Sequence, residues 1–170
     1  MIKRTRKANH CQLRIGSFEV VRSGYPTNWY IYDRPIEDGD YELGFDRDAI
    51  DGEQSLQFRV HRVAGPGWLG PGLFQVTDAV EGGTYKVRFW LKNEGCLIDL
   101  RIDSETAESR EPRNPIEVRL PGAGSSEAVW EEFEYVYVVP AHYRNIRFEV
   151  NVSAGSGTVW LDDVRIEPMP

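Results

Sequence analysis

The chain has 170 residues, of which 41% are hydrophobic and 12% aromatic, and its formal net charge is −7. Four cations crowd the first seven positions, so the rest of the chain sets 16 basic residues against all 27 acidic ones. A body this acidic excludes nucleic acid as a general partner. The longest uncharged run, residues 63–77, contains too much Gly and Pro for a membrane-spanning helix.

Residues 1–11 combine Lys3, Arg4, Arg6 and Lys7 with little apolar surface, which predicts a disordered basic arm. One domain is predicted over 12–170. Within it, short alternating segments are separated by Gly, Pro, Asp, Asn and Ser, and no amphipathic helix stands out. The predicted strands are 12–22, 28–32, 55–63, 73–80, 84–92, 96–103, 116–120, 130–139, 145–152 and 158–167. About ten short strands predict an all-β sandwich or barrel.

The alternation gives each strand one apolar and one polar face, since successive side chains of a strand point to opposite sides. Two antiparallel sheets packed through their apolar faces satisfy all these patterns. The apolar sets are Leu56, Phe58 and Val60; Tyr85, Val87, Phe89 and Leu91; Phe133, Tyr135, Tyr137 and Val139; and Ile146, Phe148, Val150 and Val152.

Cys11 and Cys96 allow one disulfide or two free thiols, and the sequence does not decide between them. Residues 8–22 contain no apolar stretch of the length that a secretory signal needs. Either a signal has been removed or none exists.

Two short motifs match the residue pattern of known binding sites but lack the surroundings that those sites need. Residues 65–70 read G-x-G-x-x-G, but Pro71 and Gly72 follow where a dinucleotide site needs a helix. Asp46, Asp48 and Asp51 suggest a calcium hand, but the third acid is out of place and the closing Glu is missing. A Gly/Pro loop and solvated acids are the simpler interpretations.

Catalytic signatures are weak. The three histidines lie in the arm, on a polar strand face and beside a turn proline, and no nucleophile elbow or zinc motif occurs. Glycoside hydrolysis needs a pair of carboxylates, and such pairs could come from Glu131, Glu132, Glu134 and Glu149. Any acidic β protein offers such pairs, however. We expect no catalytic residues.

An ordered series of segments carries the strongest signal. It comprises 16–19 (GSFE), 26–29 (PTNW), 52–56 (GEQSL), 73–75 (LFQ), 83–92 (GTYKVRFWLK), Trp130 at the start of a strand ending in 137–140 (YVVP), and 157–164 (GTVWLDDV). In this order and spacing, residues 12–168 resemble the jelly-roll carbohydrate-binding modules of families four, nine, sixteen and twenty-two, which have a galactose-binding-domain-like fold.

The resemblance implies a non-catalytic jelly-roll β-sandwich whose concave sheet binds a glycan, and a structural Ca²⁺ that ties the chain ends together. The implied calcium ligands are the Ser17 carbonyl, Glu19, Asp51 and Asp162. Hard oxygen ligands of this kind suit the ion. The alternative is that Glu19 and Asp162 accept turn and strand-end amides instead.

The resemblance also implies a glycan site built from an aromatic platform and planar polar side chains. Trp68, in a Gly/Pro-rich loop before the 73–75 strand, is the candidate for stacking on a sugar; the alternative is a loop anchor. Trp90 is assigned to the other sheet, and Trp29, Trp130 and Trp160 to packing. The remaining implied ligand-binding residues are Gln75, Asp99, Arg101, Arg147, Glu149 and Asn151.

The expected function is binding of a xylan or β-glucan polysaccharide, which would target an associated extracellular or cell-surface glycoside hydrolase. Segments 31–51 and 104–113 depart from the family pattern, so the glycan cannot be carried over. Two alternatives stay open. One is an accessory domain of a larger surface or viral protein that only mediates contacts, and the other is a glycoside hydrolase or lyase on the same fold.

Overall fold

A computed structural model describes residues 16–32, 40–63, 71–106 and 113–170. The predicted arm, Cys11 and Trp68 lie outside these ranges. Within them the chain forms twelve strands and no helix, so this part of the chain holds no helix able to cross a membrane. The strands are β1 Val21–Arg22, β2 Tyr25–Pro26, β3 Tyr30–Ile31, β4 Tyr41–Asp46, β5 Ser55–Val60, β6 Gly72–Asp78, β7 Thr84–Asn93, β8 Cys96–Asp103, β9 Ile116–Leu120, β10 Glu131–Val138, β11 Asn145–Gly155 and β12 Gly157–Pro168.

Ten of the strands form two antiparallel five-stranded sheets, and β1 and β2 form a separate hairpin. We call the sheet β3-β6-β11-β8-β9 the front sheet and the sheet β10-β7-β12-β5-β4 the back sheet. The predicted all-β jelly-roll sandwich of two antiparallel sheets is confirmed. Strands β6, β8 and β11 share the front sheet, whereas β7, which carries Trp90, lies in the back sheet, as the family resemblance implied.

The core lies between the sheets and follows the predicted alternation. Val87 and Phe89 on β7 are fully buried, as are Ile146 and Phe148 on β11. The rings of Phe89 and Phe148 meet edge to face, with centroids 5.3 Å apart, and join the two sheets. Full burial of one such side chain contributes about 1.5–3 kcal/mol to folding. The apolar faces therefore hold the sandwich together. Trp29 and Trp160, assigned to packing, are also buried.

Two segments differ from the predicted strands. The first predicted strand, 12–22, is reduced among the described residues to Val21–Arg22. Strand β4 was not predicted, because Gly44 interrupts its alternation and the surrounding segment is acidic. It forms because Leu43 and Phe45 pack against the core while the backbone pairs with β5. Cys96 is buried, and it has no disulfide partner among the described residues.

Candidate functional site

The outer face of the front sheet gathers side chains from separate parts of the chain. At the centre, Glu149 on β11 lies opposite Phe74 on β6 and Arg101 on β8. Directly opposite residues of an antiparallel pair share a face. The same registers place Arg147 opposite Asp103, and Asn151 opposite Asp99. Five of the predicted ligand-binding residues therefore share one face: Asp99, Arg101, Arg147, Glu149 and Asn151.

Three flat groups stand side by side across this face. The Tyr30 ring stacks on the Phe74 ring, with centroids 5.0 Å apart and planes 12° from parallel. The Arg147 guanidinium carbon lies 3.6 Å from the Phe74 ring centroid. Because β6 runs between β3 and β11, Phe74 is held between Tyr30 and Arg147. Tyr30 is 64% exposed, the most of any aromatic side chain in the described ranges, so it leaves ring surface open for a further flat partner.

A hydrogen-bonded cluster adjoins this column and centres on the Glu149 carboxylate, which is only 9% exposed. It accepts bonds from the Tyr32 hydroxyl (3.0 Å), Arg147 Nε (2.7 Å) and Asn151 Nδ2 (2.7 Å). Burial opposes ionisation, but these hydrogen bonds and the Arg147 charge outweigh it and lower the pKa of Glu149. The carboxylate is therefore held in its charged form.

Arg147 and Tyr32 are fixed by the same cluster. Arg147 Nη1 also pairs with Glu105 at 3.0 Å, and its Nη2 donates to the Tyr32 hydroxyl. Burial and the adjacent Glu149 charge raise the pKa of Tyr32 to about 12, so its hydroxyl keeps its proton. The cluster is built before any ligand arrives, which reduces the side-chain entropy lost on binding.

The half of the face toward β9 is more open. Asp99 pairs with Arg119 at 3.1 Å, and both side chains are substantially exposed. Arg101 pairs with the buried Asp103 at 2.8 Å, and Arg113 approaches the same carboxylate at 3.2 Å. The exposed Asp99–Arg119 pair contributes about 0–1 kcal/mol. Asp103, at 2% exposed, is the buried carboxylate of this half, while Asp99 and Arg119 stay open to solvent.

Gln75 was predicted to bind the ligand, but its position does not agree with that prediction. It lies opposite Phe148 on the core side of β6, is 5% exposed, and donates from Nε2 to the Asn28 carbonyl at 2.9 Å. It does not line the outer face. The neighbouring Phe74 points outward instead, because β11 fixes which residues of β6 face the core.

Tyr30, Tyr32 and Phe74 were missed from the sequence. The signal was present in 28–32, where Trp29 and Ile31 on the core side leave Tyr30 and Tyr32 outside. Trp68, predicted for stacking, lies outside the described residues, so its role stays a prediction.

Asn151 lies flat against the neighbouring strand. Gly72 stands opposite it, and a Cβ atom at position 72 would come within 2.0 Å of Asn151 Oδ1. Asn151 is 8% exposed and sits inside β11. Asn151 also begins the Asn-Val-Ser triplet 151–153, which has the form of a glycosylation sequon, but a glycan on this buried side chain would not fit the packed sheet.

The implied calcium ligands meet at one end of the sandwich. Glu19 Oε1 accepts the Glu53 and Gln54 amides at 3.0 and 3.1 Å, and it packs on Gly52. The fully buried Asp162 accepts the amides of Ile50 (2.7 Å), Asp51 (3.0 Å) and Asp163 (2.8 Å). The segments come together as the family resemblance implied, but backbone amides occupy these oxygens.

These residues do not fit a calcium cage as they are arranged. No group of three or more His, Cys, Asp or Glu side chains within the described ranges could hold a metal. Burial raises the pKa of Asp162, and the three amides only partly offset it. An open pocket of about 210 Å³ beside the site is lined by Ser17, Asp51 and Asp163. Calcium stays a prediction and would require some of these bonds to rearrange.

Comparison with known proteins defines the fold class. No protein-family model and no curated protein matches the chain. Among solved structures, the enzymatically active domain of bacteriophage CBA120 tailspike protein 4 matches with TM-score 0.72 and 15% identity over 92% of this chain. This chain spans only 21% of that one.

Carbohydrate-binding modules match over nearly their whole length. A CBM4 domain has TM-score 0.60 and 16% identity, covering 91% of this chain and 97% of that one. The CBM22-1 xylan-binding domain of Paenibacillus barcinonensis Xyn10C has TM-score 0.59 and 12% identity, covering 90% and 91%. The chain thus has the jelly-roll fold of carbohydrate-binding modules.

Proposed function

We propose that this domain is a non-catalytic carbohydrate-binding module that takes a glycan on the outer face of its front sheet. The observation that carries the proposal is the exposed Tyr30 ring beside the prebuilt Glu149 cluster. A pyranose ring has an apolar face that packs on an aromatic ring, and its hydroxyls need planar donors and acceptors. The front sheet supplies both kinds of group within one surface.

The proposed ligand is a xylan or β-glucan chain. The CBM22-1 neighbour is described as xylan-binding, and a CBM22-1 and GH10 structure from Clostridium thermocellum, with TM-score 0.60 and 17% identity, is a complex with xylohexaose. These neighbours support the ligand class and an extracellular role beside a glycoside hydrolase. These neighbours share only the fold with this chain. The identity of the glycan and the presence of a parent enzyme are therefore part of the proposal.

The Glu149 cluster is poorly suited to catalysis. A general acid needs a proton to give near the working pH, but Arg147 and its neighbours keep Glu149 ionised. Tyr32 has a pKa of about 12, so it stays protonated and is poorly suited to act as a general base. The cluster is better suited to hydrogen bonding with sugar hydroxyls than to proton transfer. Release of reducing sugar from any polysaccharide would support a hydrolase or lyase instead.

Affinity electrophoresis through gels containing xylan, mixed-linkage β-glucan, laminarin or mannan tests the proposal. We expect xylan or β-glucan to retard the protein and Tyr30→Ala to abolish the retardation. Tyr25→Ala is the matched control, since Tyr25 is 43% exposed but lies in the separate β1–β2 hairpin. Trp68→Ala tests the other predicted stacking residue. A protein that no polysaccharide retards would refute the proposal.

A second candidate is an accessory domain of a larger surface or viral protein. The tailspike match favours it, because that neighbour has the higher TM-score and embeds the fold in a much longer chain. This candidate predicts no glycan affinity in the same gels.

A further inference from the structure

Strand β10 is a free edge of the back sheet. Its eight residues, Glu131–Val138, pair with β7 residue for residue and without a bulge. Among the described strands, none lies on its other side. A regular edge presents a row of backbone N–H and C=O groups, which proteins commonly protect with charged side chains, Pro or a bulge. β10 has neither Pro nor a bulge, and its charges, Glu131, Glu132 and Glu134, all lie in its first half.

From Tyr135 to Val138 this edge carries no charged residue. Val136 and Val138 point outward and are 51% and 53% exposed. Phe133 and Tyr135, on the core side, are only partly buried because the sheet ends beside them. The edge therefore exposes apolar surface that another strand would cover.

The acidic half of the edge does not prevent pairing. Glu134 forms an ion pair with Lys86 on β7 (3.1 Å), and Glu132 approaches Arg88 on the same strand (3.7 Å). These cations reduce the repulsion that two glutamates would otherwise exert on an approaching strand.

We propose that a second copy of this chain pairs antiparallel with β10 about a two-fold axis at Tyr135. In that register Glu134 faces Val136 of the second copy, and Glu132 faces Val138. No glutamate then faces a glutamate, whereas an axis at Glu134 would place like charges opposite each other. A register with Glu134 facing Tyr135 would put outward side chains against inward ones.

The resulting contact is isologous and joins the two back sheets into one ten-stranded sheet. The front sheet takes no part in it. The dimer and the proposed glycan site are therefore independent, and each can fail without the other.

Sedimentation equilibrium over about a hundredfold range of protein concentration measures the association. We expect a species of twice the 19.5 kDa chain mass. Val136→Glu combined with Val138→Glu should halve the mass, because the new carboxylates would face Glu134 and Glu132 of the second copy. Val20→Glu is the matched control, since Val20 is 44% exposed and lies outside β10. A monomer at every concentration, or a dimer that survives the double change, overturns the proposal.

Cysteine cross-linking tests the register, in a Cys11→Ser background. Directly opposite strand residues are close enough for a disulfide. Glu134→Cys mixed with Val136→Cys should cross-link on oxidation, whereas either variant alone should not. A cross-link formed equally by either single variant, or none in the mixture, overturns the two-fold axis at Tyr135.

Discussion

Arg147 Nε donates to Glu149 Oε2 at 2.7 Å, two residues along the same face of β11. This bond joins the aromatic column to the hydrogen-bonded cluster. Arg147 also lies over the Phe74 ring, and Glu149 also accepts hydrogen bonds from Tyr32 and Asn151. A change to either residue should therefore affect both the aromatic column and the hydrogen-bonded cluster.

Breaking this pair should cost stability as well as binding. Glu149→Gln keeps the shape but removes the charge facing Arg147, and we expect a loss of about 1–3 kcal/mol in the free energy of unfolding. Arg147→Lys should cost a similar amount, since an ammonium group cannot reproduce the planar contacts. Urea unfolding measures both. Arg119→Lys, at the exposed Asp99 pair, is the control and should change little; an equal loss there would contradict a special role for the cluster.

Gly72 should not tolerate a side chain. In Gly72→Ala the new Cβ would lie 2.0 Å from Asn151 Oδ1 and 2.9 Å from the Val150 carbonyl oxygen. We expect a destabilisation of about 1–3 kcal/mol, typical of overpacking. Gly44→Ala is the matched control on strand β4, because its nearest atom would be 3.9 Å away. Chemical denaturation compares the two, and a harmless Gly72→Ala would show that the Asn151 side chain can move aside freely.

Acid should weaken the fold through Glu149. Its pKa is lowered in the folded state, so the unfolded chain binds the proton more readily. Its stabilisation is present above the ordinary glutamate pKa of about 4.3 and is lost as the pH falls through the lowered value. Asp46 acts in the same sense, because a bond from Trp160 lowers its pKa. Asp162 acts in the opposite sense, since its raised pKa makes its ionisation costly as the pH rises.

The pH dependence can be measured as the urea midpoint between about pH 3 and pH 7. We expect stability to fall toward acid, and Glu149→Gln to flatten that fall. A variant with an unchanged acid slope would mean that folding does not lower the pKa of Glu149.

Calcium is tested by thermal unfolding with and without the ion. If Ser17, Glu19, Asp51 and Asp162 hold Ca²⁺, the melting temperature should rise with added calcium and fall with chelator. Glu19→Gln should remove that response. If the amide contacts seen at Glu19 and Asp162 are the whole interaction, chelator will leave the melting temperature unchanged.

Much of the fold could be predicted from local pattern. Alternation along β7 and β11 gave the core residues, because each strand has one face against the other sheet. The same pattern placed Arg147, Glu149 and Asn151 together on an outer face. Strand β4 could not be found this way, because its pairing with β5 stabilises a segment whose own pattern is broken by Gly44.

The sequence by itself determined the class of architecture and which face of the late strands is polar, since these follow from periods of two residues. Only the tertiary structure decided which distant residues meet. Register between β3 and β6 brings Tyr30 onto Phe74, and register between β6 and β11 turns Gln75 inward. The partners of Glu19 and Asp162 were equally undetermined, because a carboxylate's neighbours depend on loops that fold against it from elsewhere in the chain.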